Sequence, residues 1–132
     1  MAGRDGERDY SHRSLTDKLG VKPDIRVALD GIDDAQLRRD IVARGAELTS
    51  DSADILLLGV SEGDALARRI SAAWPRVAPR GALWIVYPKG IRLITEAQVL
   101  AAGRAAGLLD VKVARFSDTH TALRFVAPRA AR

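Results

Sequence analysis

Two apolar runs of strand length, Ala53 to Val60 (ADILLLGV) and Ala82 to Tyr87 (ALWIVY), constrain this chain more than any other feature. Neither alternates apolar with polar residues, so each would present apolar surface on both faces. A strand of that kind is stable only where it is covered above and below. Both runs are far shorter than the roughly 20 residues needed to cross a bilayer, so they belong to a packed core rather than a membrane. Between them Leu66, Ile70, Ala73 and Trp74 recur at helical spacing as one buried stripe, which Pro75 ends. Strand, helix and strand in that order is the unit from which parallel sheets are built.

The rest of the chain extends the pattern. Ser14 to Asp17, a serine followed three residues later by an acid, reads as the cap of a short helix ending at Gly20. Asp24 to Asp30 (DIRVALD) places Ile25, Val27 and Leu29 on one face of a strand, and Asp33 and Asp34 then offer caps for a helix from Ala35 to Arg44. Residues 46 to 49 suggest a short strand. Ser61-Glu62-Gly63-Asp64 and Thr95-Glu96-Ala97-Gln98 repeat the capping pattern, the second opening a helix that ends near Gly107, while residues 75–81 (PRVAPRG) read as a loop. Val111 to Phe116 and His120 to Val126 are strands separated by three residues, too few for a crossover helix, so the last strand must run antiparallel. We expect it to insert beside ALWIVY. The expected architecture is a single α/β, Rossmann-like domain over residues 14–127. Its sheet is mostly parallel with a C-terminal antiparallel strand, and flexible tails occupy residues 1–13 and 128–132.

Composition removes several function classes. There is no Cys and only His12 and His120, which excludes disulfides, thiolate catalysis and Cys- or multi-His-ligated metal. The opening MAGRDGERDYSHR mixes acids and bases without an apolar centre, so it is not read as a secretory signal, and a cytoplasmic location is expected. A net charge of +4 and a sequence pI near 10.0 raise the question of nucleic acid. Basic residues are scattered, however, and aromatics make up 5%, too few for a base-stacking platform. Nucleic-acid binding would require Arg68, Arg69, Arg76, Arg80, Lys89 and Arg92 to converge, and it ranks below the other readings.

The segments LTDKLGVKPDIRVAL, GALWIVYPKG and AGLLDVKVARFSDTHTALRFV together resemble a family of small bacterial proteins, common in actinobacteria. Its members carry a reduced class I methyltransferase-like fold and have no assigned function. The resemblance spans residues 14 to 127 and implies the same fold. Class I methyltransferases carry several glycines in the turn after their first strand, which let the backbone approach the cofactor. Here Asp30-Gly31-Ile32-Asp33-Asp34 keeps one glycine and sets two acids where a cofactor carboxylate would approach. Glu47 stands where a ribose-binding acid would, as an ordinary surface acid would too. Residues 50–52 leave no room for a further strand-helix unit, so one unit of the full enzyme is missing. These departures lead us to expect no cofactor, and a non-enzymatic methyltransferase-like module that binds a partner protein or a small ligand. An enzyme with a site shifted along the sheet edge and a weak nucleic-acid binder are the alternatives.

Open parallel sheets bind ligands beyond the carboxyl ends of their strands. That edge should carry Asp30 and Gly31, Ser61 after ADILLLGV, Lys89 after ALWIVYP, and Thr119 and His120 at the start of the antiparallel strand. Pro88 fixes the backbone before Lys89 and Gly90 permits a close turn after it. Lys89 is therefore expected over the edge, within reach of the loop carrying Thr119 and His120, where its ammonium would hold a small anionic ligand.

Overall fold

The computed structural model describes residues 14–129; the tail expected at 1–13 and the last three residues of the C-terminal tail lie outside the described residues. In chain order the elements are α1 (Leu15–Leu19), β1 (Arg26–Asp30), α2 (Ala35–Ala43), β2 (Glu47–Leu48) and β3 (Ala53–Gly59). They are followed by α3 (Leu66–Ala73), β4 (Val77–Pro88), α4 (Glu96–Ala105), β5 (Leu109–Arg115) and β6 (His120–Val126). The strands form one six-stranded sheet in the order β2-β1-β3-β4-β6-β5. β1 pairs in parallel with β2 and β3, and β3 in parallel with β4. β6 lies between β4 and β5 and is antiparallel to both, so β5 points the same way as the first four strands.

From β1 the chain steps outward to β2, then returns past β1 to β3 and on to β4. Right-handed crossovers that advance in opposite directions put their helices on opposite faces, which gives two cores instead of one. Leu56 and Leu58 of β3 join Ala28, Leu83, Ile85 and Phe125 under α3 and α4. Leu57 of β3 joins Val27, Trp84 and Val86 under α1 and α2. Both parities of β3 are thus buried, which is why its sequence does not alternate. The indole Nε1 of fully buried Trp84 donates to the Leu19 carbonyl at 3.2 Å and fastens α1 to the sheet.

Three caps form as the sequence predicts. Ser14 Oγ accepts from the Asp17 N–H, Asp34 Oδ1 accepts from the Leu37 N–H at 3.0 Å, and Thr95 and Gln98 make both bonds of a capping box. Ser61 does not cap. A 3₁₀ turn at Gly63–Ala65 precedes α3 with no side-chain cap, and the Gly63 N–H donates instead to the Leu93 carbonyl at 2.7 Å, so the loop before α4 supplies the partner. The other correction concerns residues 75–81, expected as a loop: β4 already begins at Val77. Ala53 opposes Val77 while Ile55 opposes Ala82, a bulge that holds Arg80 at φ 68°. Pro79 and Gly81 are turn residues in sequence, but a bulge uses the same residues. Among the described residues no helix is long and apolar enough to cross a membrane.

Candidate functional site

Between β1 and β3 the direction of travel across the sheet reverses, so the loops leaving these strands diverge toward opposite faces. Such a switch point is where open α/β sheets bind ligands. A crevice of about 270 Å³ opens there on the α2 face. One wall is the turn after β1, from Gly31 to Asp34; another is Gly59, Val60 and Ser61 at the end of β3. Val86 of β4 forms the floor, and Phe116, Ser117 and His120 close it from the β5–β6 turn.

Gly31, Ser61 and His120, three of the candidates read from sequence, line this crevice, whereas Asp30, Lys89 and Thr119 do not. Strand parity explains the division. Successive side chains point to opposite faces, so Ala28 and Asp30 of β1 share the α3/α4 side while Val86 of β4 faces the α2 side. Tyr87 packs in the α3/α4 core, and β4 ends at Pro88, so Lys89 lies in the bend beyond the strand. Lys89 stays exposed with no ion pair among the described residues, though its backbone N–H donates to the Thr119 carbonyl at 3.0 Å. Asp30 shares the face of Ala28 and is engaged by two guanidiniums, Arg69 Nη2 at 3.3 Å and Arg76 Nη1 at 3.5 Å. Arg76 also donates to the Ser50 carbonyl at 3.0 Å, while its Nε is buried without a hydrogen-bond partner.

The β5–β6 turn is internally bonded. The His120 N–H donates to Ser117 Oγ at 3.1 Å, and the ring Nδ1 shares a hydrogen bond of 2.8 Å with Thr119 Oγ1. Ser117 Oγ and Thr119 Oγ1 lie 3.3 Å apart, which makes a chain of two hydroxyls and one imidazole at the crevice mouth. The imidazole's hydrogen bond goes to the Thr119 hydroxyl, not to Ser61 or an acid, so among the described residues no carboxylate orients the ring. Asp33 and Asp34 line the crevice and no lysine or arginine does. Behind it, in the α3/α4 core, the Tyr87 hydroxyl is pushed up to about 12, first by burial and then by the Glu96 carboxylate that accepts its hydrogen bond.

Glycines bring the two sides of the switch point into contact. A Cβ on Gly59 would stand 2.5 Å from the Gly31 carbonyl oxygen, and one on Gly31 would stand 2.8 Å from that of Gly59. Gly31 also has φ 75°, a left-handed conformation that other residues adopt only with strain. The turn after β1 therefore rests backbone to backbone on the end of β3. Sequence reasoning named Gly31 but missed Gly59, Phe116 and Ser117; counting parity along β4 and β6 from a buried Val86 is the signal that finds this face.

The six bases whose convergence would have marked a nucleic-acid surface do not gather. Arg69 and Arg76 are held by Asp30, and Arg80 sits in the bulge near the start of β4 while Lys89 lies just past its end, separated by about 20 Å of extended strand.

No family model and no curated protein matches the sequence. Solved structures do match in fold. A SAM-dependent methyltransferase from Aquifex aeolicus aligns with TM-score 0.69 at 9% identity, covering 85% of this chain and 87% of that one. A TehB-like SAM-dependent methyltransferase from Corynebacterium glutamicum aligns with TM-score 0.65 at 10% identity, covering 86% and 85%. The B. subtilis M1A22 tRNA methyltransferase aligns with TM-score 0.61 at 10% identity, and the match spans 87% of this chain and 64% of that protein's length. At such identities the likeness shows a methyltransferase-like fold and nothing finer.

The residues present do not fit S-adenosylmethionine, the cofactor such a fold implies. The turn after β1 keeps a single glycine, Gly31, followed by β-branched Ile32, where the cofactor turn of such a fold carries several. Asp33 and Asp34 add negative charge to the turn after β1, which would repel a cofactor carboxylate. Glu47 is paired with Arg26, the first residue of β1, so it sits about 13 Å along the sheet from the carboxyl edge. The crevice also falls just below the roughly 300–1,000 Å³ of typical small-molecule sites.

Proposed function

We propose that this chain is a methyltransferase-like binding module that transfers no methyl group and takes a small neutral or amine-bearing ligand in the α2-face crevice. The turn after β1 carries this reading: it keeps one glycine and lines the crevice with Asp33 and Asp34, where a nucleoside cofactor needs several glycines and free backbone N–H groups. The acidic lining supports the choice of ligand: Asp33 gains by meeting an amine, and Ser61, Ser117 and His120 offer hydrogen bonds around it. The resemblance of residues 14–127 to small proteins of no assigned function agrees with a fold kept while its first activity was lost.

Titration calorimetry and melting curves with S-adenosylmethionine and S-adenosylhomocysteine test the first half. Neither compound should release measurable heat or raise Tm. A micromolar Kd for either would overturn the reading. For the second half, a melting screen of amines and neutral polar metabolites should return compounds that stabilise the wild type and lose their effect in Asp33→Ala and His120→Ala. Hits confined to carboxylates and phosphates would contradict the proposed ligand.

A second reading, an enzyme with a displaced site, draws on the Ser117–Thr119–His120 chain, which has the components of a proton relay.

A further inference from the structure

At the opposite edge of the sheet, on the α1 face, the fold gathers cations that the sequence scatters. Arg80 from the β4 bulge, Arg124 from β6 and Arg129 beyond it line an open cleft of about 430 Å³ over Val111 and Val126. Arg124 is shared with an adjoining cleft beside α1, to which Lys18, Lys22 and Lys112 contribute. The Lys112 ammonium donates to the Lys18 carbonyl at 3.2 Å, which locks the strand edge to α1 and leaves the Lys18 charge uncancelled.

Charge decides the character of this surface. One carboxylate, Asp17, lines the two clefts, and it is engaged by the Arg44 guanidinium. Six cations face it, more than the +4 net charge of the whole chain, so the rest of the protein is close to neutral. None of the six forms a salt bridge with a carboxylate among the described residues. Such crowding of like charge is unfavourable without an anion to screen it. The backbone points the same way. Arg80 occupies φ 68° at a bulge, a conformation costing a non-glycine residue about 1 kcal/mol or more, and bulges characteristically re-aim one side chain.

We infer that this double cleft binds the phosphate backbone of a nucleic acid, without reading its sequence. Three guanidiniums around a concave trough suit successive phosphates, which each can hold with two parallel N–H donors. The lysines extend the track along α1. A bilayer surface is flat and would reach the cleft floor poorly, whereas a single strand can follow it. The one aromatic lining residue, Trp84, is fully buried, so bases have nothing to stack on and contacts stay with the backbone. This inference is independent of the crevice between β1 and β3 and stands or falls apart from it.

The test is fluorescence anisotropy of the full chain with labelled mixed-sequence single strands across a salt series. The slope of log K against log salt should be near −4, from about −0.7 for each of six neutralised phosphates. Arg80→Asn combined with Arg124→Gln and Arg129→Gln should weaken binding more than about tenfold at low salt and lower the slope by about 2. Arg38→Ala, Arg39→Ala and Arg68→Ala together remove the same charge from α2 and α3 and should change affinity less than about threefold. Because Arg124 lies beside Trp84 in the sheet, the pair Arg80→Asn with Arg129→Gln, both exposed, provides the same readout if the triple variant melts early. Equal losses in the cleft and control variants would reduce the effect to net charge and overturn the assignment. So would capture of tripolyphosphate or anionic vesicles with no binding of the oligonucleotide.

Discussion

Replacing Gly103 with alanine sets two opposed effects against each other at one atom. Gly103 is buried inside α4, where exchanging glycine for alanine ordinarily stabilises a helix by about 1 kcal/mol. The added Cβ would stand 2.1 Å from Cε1, 2.6 Å from Cζ and 2.7 Å from Cδ1 of Phe125. Carbon atoms rest about 3.5–4.0 Å apart, so the ring would have to retreat by well over 1 Å. It has nowhere to go. Phe125 is 0% exposed and sits in β6 opposite Leu83 on one side and Asp110 on the other. Overpacking of this kind typically costs about 1–3 kcal/mol, and a full ring in a dense core belongs at the upper end. Against the helix gain, we expect Gly103→Ala to destabilise the chain by about 1–2 kcal/mol, a fall of several degrees in Tm. Phe125→Leu alone should also destabilise, by leaving a cavity. The double variant should be more stable than the sum of the two losses by at least about 1 kcal/mol, since each change relieves the other. Urea unfolding of the four proteins measures this directly. A Gly103→Ala chain as stable as the wild type, or more so, would show that the α4 contact with the sheet is not as described.

Two further outcomes follow from the two cores. Tyr87 has its proton held to about pH 12 in the folded chain against an ordinary value of 10.0, so the folded state binds the extra proton and the associated stability is present below pH 10. It should be lost between pH 10 and 12, on the order of 2–3 kcal/mol, and that alkaline loss should be absent in Tyr87→Phe; in a Tyr10→Phe background, a phenolate absorbance titrating at the ordinary value would refute it. Trp84→Phe leaves the Leu19 carbonyl without its donor in a buried setting and should cost about 1–3 kcal/mol, with amide exchange rising in residues 15–20 before it rises in α4. Uniform exchange across both helices would mean that the indole does not hold α1.

What the residues determine by themselves is local and periodic. The unalternating run of β3, the stripe of Leu66, Ile70 and Ala73, the caps at Ser14, Asp34 and Thr95, and a three-residue link that forbids a crossover suffice for the alternation of strands and helices and for the antiparallel direction of β6. Each depends on neighbours within a few positions, where spacing and backbone chemistry act directly. The face that each edge residue takes is not local. Asp30 and Lys89 were candidates because they end strands, but two-residue alternation turned Asp30 to the α3/α4 side, where it met Arg69 and Arg76 from segments about 40 residues away, and Lys89 fell in an exposed bend outside the crevice. Ser61 lost its cap to a bond between Gly63 and Leu93, and the bulge at Arg80 broke the count along β4. The cation cleft draws on positions from Lys18 to Arg129 that no window of sequence contains together. Periodicity tells which residues share a side of an element. Which element covers that side, and which distant charge arrives there, is settled only when the crossovers pack the helices against the sheet.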